Sequence, residues 1–198
     1  MGRPRGFDME EALDAALAVF WRKGYEGTSY ADLTAAVGVE RPALYAAFGN
    51  KEALFRRVLA RYTERELAYV PEALALPTAR EVAAHMLARA VELNTRCPDH
   101  TGCLYLNGVL AGSDAAEPVR QALIAARADG EAALCQRFAR AKAEGDLPPD
   151  AQPESLAAFL MAVLHGIGVQ AKAGFSRDRL DAVAALALAS FPARPPAA

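Results

Sequence analysis

Apolar residues recur at helical spacing along most of the chain, in segments separated by glycine, proline and asparagine. Alanine and leucine dominate these segments, and both favour helices. Runs in which β-branched and polar residues alternate, the usual mark of a strand, are missing. The pattern therefore predicts an all-α fold of about nine helices.

The first 50 residues are divided into three helices by strong local signals. Asp8 is suited to cap the first helix, and Gly24 to end it. Gly38 supplies a tight turn between the second helix and the third, which carries Pro42 in its first turn, where the missing N–H costs nothing. Two short helices joined in this way form the motif that presents its second helix to a DNA major groove.

The remainder of the chain predicts a larger helical domain. The expected helices cover residues 50–69, 78–96, 104–110, 113–144, 153–173 and 176–191. We therefore divide the chain into a helix-turn-helix DNA-binding domain over 1–50 and a larger helical domain over 51–198. The helix over 51–70 connects the two domains.

The last two predicted helices are apolar on most sides, so each needs burial against more than one partner. A second copy of the chain would supply the missing partners. This predicts a homodimer through a four-helix bundle made by these two helices. Alternatively, these two helices lie at the centre of the core of a monomer.

Composition narrows the class of protein further. Hydrophobic residues make up 53% of the chain, which is enough to form a core. No charge-free apolar run reaches 18 residues, and no apolar segment follows the first residues, so we expect a cytoplasmic protein without a membrane partner. Three cysteines are an odd number, which favours reduced thiols over a disulfide framework.

Charge does not by itself indicate a nucleic-acid partner. The net charge is −2, and residues 1–69 carry 10 basic and 10 acidic side chains. Any DNA contact must therefore depend on a local cluster of cations rather than on a basic domain.

The segment over 28–54 carries a more specific signal. It contains a threonine before the second helix, Gly-Val at the turn, Leu-Tyr-x-x-Phe on the third helix and Lys-Glu-x-Leu at the start of the fourth. Across residues 7–55 the chain resembles the TetR (tetracycline repressor-like) family of transcriptional regulators. The resemblance implies a repressor that binds a palindromic double-stranded operator as a homodimer and is released by a small-molecule effector. It makes residues 51–198 the effector-binding and dimerisation domain.

The same resemblance implies roles for particular residues. Tyr45 and Lys51 match the family's phosphate-contacting positions, although a core aromatic and an ordinary solvated lysine are the alternatives. Thr28, Ser29 and Tyr30 open the second helix, where hydroxyls can cap the helix and backbone amides can meet a phosphate.

Few polar groups stand on the third helix, so its specificity rests on a small set of residues. We expect Arg41 to read guanine, with Pro42 and Ala43 packing on thymine methyl groups. Glu40 is suited to accept a hydrogen bond from cytosine or, more simply, to cap the helix.

Arg3 and Arg5 stand in an N-terminal arm that resembles the Gly-Arg-Pro-Arg start common in the family. Such arms reach phosphates or a minor groove, and a plain charged tail is the alternative.

The C-terminal domain is expected to hold a largely apolar ligand pocket with a few polar anchors. Each candidate side chain serves equally well in core packing. The candidates are Met86, Cys103, Phe138, Phe159, Met161, His165 and Gln170. His165 and Gln170 stand out because a polar group in an apolar helix needs a partner. The Gly-Cys-Leu motif at 102–104 and the segment over 165–171 resemble a TetR subfamily in which they border the pocket and the dimer face.

Cys97, His100 and Cys103 offer an alternative signal, thiol redox chemistry or metal binding. Zinc needs about four ligands, and no further candidate is adjacent in sequence, so we expect no metal site and no cofactor. The three histidines are scattered and no phosphate-binding glycine loop occurs, so an enzyme is not expected. A helical interaction module without DNA binding is the remaining reading, and it predicts no salt-dependent binding to duplex DNA.

Overall fold

A computed structural model describes residues 7–97, 102–109 and 113–192. Within these ranges the chain forms ten α-helices, one 3₁₀ turn and no strand, so the all-α prediction is confirmed. The helices are α1 Met9–Gly27, α2 Tyr30–Val37, α3 Arg41–Phe48, α4 Lys51–Glu66, α5 Tyr69–Leu74, α6 Ala79–Thr95, α7 Leu104–Val109, α8 Glu117–Ala143, α9 Pro153–Lys172 and α10 Arg177–Ala189.

These helices belong to two compact units. The first contains the described residues up to Leu67 together with Leu104–Leu123, and the second contains Ala68–Cys103 and the described residues from Ile124 onward. The division after residue 50 separates two functional domains, and it stays a prediction. In the structure α4 packs within the first unit, although the functional division assigns it to the second domain.

Three predicted helix boundaries were wrong. The first helix was expected to end at Gly24, but α1 continues to Gly27 through a kink at Gly24, where φ is 72°. The fourth helix was expected to run to about Tyr69, but α4 ends at Glu66 and Tyr69 begins the separate short helix α5. Pro71 lies in the first turn of α5, where its missing N–H is tolerated. A 3₁₀ turn over Asp114–Ala116 precedes α8, which begins at Glu117, four residues after the predicted start at 113.

Aromatic side chains form the core of the first unit. Phe20 and Trp21 of α1 and Phe55 and Tyr62 of α4 are each at most 2% exposed. The Phe20 ring meets the edge of Phe55 with centroids 5.0 Å apart, and Trp21 meets Tyr62 at the same separation. Such pairs add to the stability gained from area burial, so α1 and α4 are firmly joined.

A charged cluster also joins α1 and α4. The buried guanidinium of Arg61 donates from Nε and Nη2 to the two carboxylate oxygens of Asp14 at 2.8 and 2.9 Å, and it also donates to Glu10. Arg65 donates to the same aspartate at 2.9 Å. The hydrogen bonds from Arg61 lower the pKa of Asp14, despite the opposing effect of burial, and the nearby charges of Arg61 and Arg65 lower it further.

This cluster predicts an acid-sensitive contribution to stability. Because the folded-state pKa of Asp14 lies below its ordinary 3.8, the contribution is complete above that value and is lost as pH falls through the lowered pKa. We expect Asp14→Asn to lower the free energy of unfolding at pH 7 by about 1–2 kcal/mol, because Glu10 still pairs with Arg61 and Asp14 is partly exposed.

Urea unfolding at pH 7 and at pH 3 measures both effects. The wild type should lose more stability between the two pH values than Asp14→Asn does, whereas Glu64→Gln, an exposed acid on α4, should behave like the wild type. Equal losses in wild type and Asp14→Asn would contradict the assignment.

The second unit is built around α6, which packs against α5, α9 and α10. A capping box lies at its start, where the Thr78 hydroxyl accepts from the backbone N–H of Glu81, and the Glu81 carboxylate accepts from that of Thr78. Arg137 of α8 is 4% exposed and donates from Nη2 to the carbonyl oxygens of Leu76 and Pro77 at 2.6 and 2.9 Å. The loop before α6 is thereby tied to α8.

Helix α9 is long and apolar enough to span a membrane by length and composition, and it is the one such helix among the described residues. Helices that pack inside soluble helical domains satisfy the same criterion. Leu160 and Ile167 of α9 are fully buried, as in a packed domain.

Candidate nucleic-acid interface

The α2 and α3 helices form the predicted helix-turn-helix. Ser29 and Asp32 make a reciprocal capping box at the start of α2. Gly38 then adopts a left-handed conformation, with φ of 73° and ψ of 30°, which allows the sharp turn. Leu33 of α2 and Leu44 of α3 are buried, so the pair is held by its inner face and its outer face is left on the surface.

The outer face of α3 carries the side chains predicted to meet DNA. Arg41, Pro42, Ala43 and Tyr45 are all exposed. The alternative of Tyr45 as a core aromatic is wrong, since its side chain is 37% exposed. The third helix therefore presents a narrow surface with one cation, one phenol and small apolar groups.

Arg41 is held in place by two tyrosines. Its guanidinium carbon lies 4.4 Å from the ring centroid of Tyr30 and 5.4 Å from that of Tyr45, and its Nη2 donates to the Tyr45 hydroxyl at 3.2 Å. The two rings stack with centroids 4.9 Å apart. The hydrogen bond from Arg41 lowers the pKa of Tyr45. These contacts place a positive charge and a hydroxyl side by side on the exposed surface.

Lys51 is the second cation of the surface. Its Nζ lies 4.5 Å from the ring centroid of Tyr25, and burial lowers its pKa. Its backbone N–H donates to the Tyr30 hydroxyl at 3.0 Å. Tyr30 therefore links α2 to the start of α4 and to Arg41 of α3. We call Tyr25, Tyr30, Arg41, Tyr45 and Lys51 the cation–tyrosine cluster.

The start of α2 differs from the expected phosphate site. The Thr28 side chain is buried and its hydroxyl donates to the carbonyl of Gly24 at 2.7 Å, so the expectation that it caps α2 was wrong. Only Ser29 caps this helix, and its partner Asp32 also pairs with Lys23 at 2.6 Å. A carboxylate therefore already lies at this helix terminus, and Thr28 can reach a phosphate only through its backbone.

Two further expectations concern the edges of this surface. Glu40 precedes α3 but its side chain makes no capping hydrogen bond, so the interpretation of Glu40 as a side-chain cap was wrong. Arg3 and Arg5 lie outside the described residues.

A glycine-turned helix pair with an exposed cationic face defines a helix-turn-helix DNA-binding protein. Residues 12–58 match the model of the bacterial regulatory proteins of the tetR family, and residues 80–187 match the tetracyclin repressor-like C-terminal domain. The chain belongs to the tetR family and is a transcriptional regulator.

Relatives of known name support this assignment. The chain is 35% identical over 193 residues to the HTH-type transcriptional repressor ComR of Escherichia coli, with 96% of this chain and 92% of ComR covered. It is 31% identical over 192 residues to the repressor BdcR of Escherichia coli, with 94% and 90% covered. A solved structure of a cysteine mutant of CifR, a TetR family regulator complexed with 26 bp double-strand operator DNA, is 43% identical with a TM-score of 0.91 and covers 96% of this chain and 100% of its own.

The candidate ligand residues of the second unit fall into three environments. Met86 and Phe138 are buried, and the Phe138 ring packs on Phe191 with centroids 5.3 Å apart, as a core residue does. Phe159 and Gln170 lie exposed on α9. The half-buried candidates are Cys103, Met161 and His165. The seven candidates therefore differ in burial, and the ligand site stays a prediction.

The Gly-Cys-Leu motif packs against α9. The backbone N–H of Gly102 donates to Asn94 Oδ1 at 2.9 Å, and a Cβ on Gly168 would lie 3.3 Å from the backbone nitrogen of Cys103. The glycine at 168 is therefore what allows the two backbones to approach. This contact links the motif with the segment over 165–171.

The close contact predicts opposite effects for two glycine substitutions. Gly→Ala inside a helix ordinarily stabilises by about 0.5–1 kcal/mol, and we expect this for Gly130→Ala, because nothing lies within 4 Å of the point that its added Cβ would occupy. Gly168→Ala should instead destabilise by about 1 kcal/mol or more, because the added methyl meets backbone. Urea unfolding of Gly130→Ala and Gly168→Ala tests both expectations. Equal stabilisation by the two substitutions would refute the close contact at Gly168.

The alternative of a redox or metal signal depends on Cys97, His100 and Cys103. Cys97 and Cys103 are both half-buried, and His100 lies outside the described residues. Within the described ranges no group of three or more candidate metal ligands occurs. Release of the operator by oxidant that persists after both cysteines are changed to serine would dismiss the redox alternative.

Three residues of these sites were not anticipated. Tyr25 lies against Lys51, and Arg57 of α4 lies over the ring of Phe48 with its guanidinium carbon 5.0 Å from the centroid. Arg127 of α8 meets His165 of α9. The sequence signalled that His165 needed a partner, but not that the partner would come from 38 residues away.

Proposed function

We propose that this chain is a cytoplasmic transcriptional repressor that binds a palindromic operator as a homodimer and is released by a small-molecule effector. The single observation that carries the DNA-binding part is the exposed face of α3, where a fixed arginine and a tyrosine hydroxyl lie beside small apolar groups. ComR and BdcR, which are similar along almost the whole chain, are named repressors, and this supports repression rather than activation.

In this proposal the members of the cation–tyrosine cluster make different contacts with DNA. Arg41, at the start of α3, reads guanine in the major groove, with Pro42 and Ala43 against thymine methyl groups. Tyr45 and Lys51 contact phosphates and fix the register of α3 on the duplex. Ser29 and Tyr30 add backbone N–H groups at the start of α2, while Arg3 and Arg5 follow the adjacent backbone or minor groove.

The dimer is proposed to form through α9 and α10. Four large apolar side chains of these two helices are exposed in the single chain, among six such side chains within the described residues. They are Phe159, Val169, Val183 and Leu186, the last 72% exposed. A two-fold interface between α9 and α10 of two chains would remove them from water as a four-helix bundle.

Release by an effector is proposed to act on the spacing of the two α3 helices. A dimer reads successive major grooves only if its recognition helices lie about 34–36 Å apart. An effector that binds better to a dimer with another spacing shifts the population away from the operator-binding form. The Gly-Cys-Leu motif places the chain, in this proposal, in a subfamily whose pocket borders the contact between Gly102 and Gly168.

Selection of genomic DNA by the purified protein tests the proposed function. We expect recovered fragments to share an inverted repeat and to bind with an affinity that falls steeply with salt, because phosphate contacts release counterions. Competition with a scrambled duplex of equal length is the matched control. Equal binding to both duplexes, or no binding to either, would refute the proposal.

A further inference from the structure

The second unit contains a cation whose neighbours do not neutralise it. Arg127 of α8 and His165 of α9 meet at 3.1 Å, between Nη2 and Nδ1. A guanidinium has donors only, so His165 accepts through Nδ1 and is the tautomer that carries its proton on Nε2. Burial, and then the charge of Arg127, lower the pKa of His165 to about 4, which agrees with a neutral imidazole at pH 7.

No carboxylate among the residues that the structure describes pairs with this charge. Among the described residues Arg127 forms no ion pair, and its Nε is enclosed without a hydrogen-bond partner. Arg61 in the first unit shows the contrast, because both its Nε and its Nη2 are bound by Asp14. An enclosed donor without an acceptor is costly, so the Arg127 site is incomplete as the chain presents it.

The surroundings define the ligand that would complete the site. The groups that the structure places at this site, the Arg127 guanidinium and His165 Nε2, are donors, so the ligand must accept hydrogen bonds and should carry a negative charge. Met161, one turn before His165 on α9, is half-buried, and Leu134, two turns beyond Arg127 on α8, is 1% exposed. The residues from Ser155 to Ala171 include no Asp, Glu, Lys or Arg.

We propose that Arg127 and His165 form an anchor for the carboxylate of a small organic acid with an apolar body. The carboxylate accepts from Arg127 and from His165 Nε2, and the carbon skeleton lies along α8 and α9. This rests on the proposed function, because it names the chemical class of the effector. Arg127 is thereby a ligand-binding residue and not a structural ion-pair partner.

Calorimetric titration with matched probes tests the anchor. Octanoate and octanamide share a carbon chain and differ in charge, and benzoate supplies an aromatic body. We expect at least one of the two carboxylates to bind, octanoate to bind more tightly than octanamide, and Arg127→Leu to weaken carboxylate binding ~10- to 100-fold. Arg140→Leu, which removes an exposed arginine from the same helix, should leave binding unchanged.

Stability separates a binding role from a structural one. Because the Nε of Arg127 is enclosed without an acceptor among the described residues, Arg127→Leu should unfold at the same or a higher urea concentration than the wild type. Arg137→Leu, which removes hydrogen bonds to Leu76 and Pro77, should unfold at a lower one. A destabilised Arg127→Leu would contradict the anchor.

Other outcomes also overturn the inference. These are a failure of both octanoate and benzoate to bind, equal binding of octanoate and octanamide, and carboxylate binding by Arg127→Leu at wild-type strength. Operator binding without any probe is measured separately by fluorescence anisotropy. If the wild-type protein fails to bind the operator, the proposed function is refuted, whereas the calorimetry tests only the anchor formed by Arg127 and His165.

Discussion

Leu186→Asp is expected to convert a dimer into monomers and to lower operator affinity by roughly 100-fold or more. Leu186 is 72% exposed in the single chain, although the neighbouring Ala187 of the same helix is 6% exposed. In a two-fold interface each substitution acts twice, and an unpaired carboxylate buried there is strongly unfavourable. A loss of about 3 kcal/mol would already lower affinity ~100-fold.

Sedimentation velocity and fluorescence anisotropy with an operator duplex measure the two effects. Ala132→Asp adds the same charge at an exposed position of α8 and should leave both mass and affinity at wild-type values. A Leu186→Asp chain that remains dimeric and binds normally would place the interface elsewhere.

Arg41→Ala is expected to cost about 1–3 kcal/mol in each half-site and to relax specificity at one guanine position. The lost contact is bidentate, so Arg41→Lys should recover little of the specificity although it keeps the charge. Tyr30 and Tyr45 should remain stacked in both variants, because the rings contact one another directly.

Lys51→Ala is the matched comparison for Arg41→Ala. A phosphate contact carries no sequence information, so its loss should weaken binding to all operator variants alike and reduce the salt slope by about one for each contact removed. Binding of wild type and both variants to a set of single-base operator mutants separates the two roles. If Arg41→Ala weakens every operator mutant equally, Arg41 is a phosphate contact and not a reader of guanine.

Local signals in the sequence were sufficient for much of the fold. Asp8 caps the helix for which it was predicted, because a cap depends on residues only two or three positions away. Gly38 forms the expected turn for the same reason. The break before α5 was missed because a proline can begin a helix as readily as end one.

The candidate sites depend on contacts that periodicity does not reveal. Tyr30 and Arg41 are eleven positions apart and meet only because Gly38 folds α3 back on α2. The Thr28 hydroxyl could either accept from a backbone N–H of α2, as a helix cap does, or donate to a nearby carbonyl, and in the structure it donates to the carbonyl of Gly24 in α1. Both interactions depend on how the helices pack against one another. The hydrophobic pattern shows which face of a helix is buried, but not which residues that face contacts.

Hydroxyl-radical footprinting of the selected operator fragment tests the central claim most directly. The account predicts two protected segments related by an inverted repeat, with centres separated by one helical turn of about 10 base pairs or a multiple of it. Both should disappear with Leu186→Asp. A single protected segment, or no protection at a protein concentration that saturates binding, would contradict a dimer that places two copies of α3 in successive major grooves.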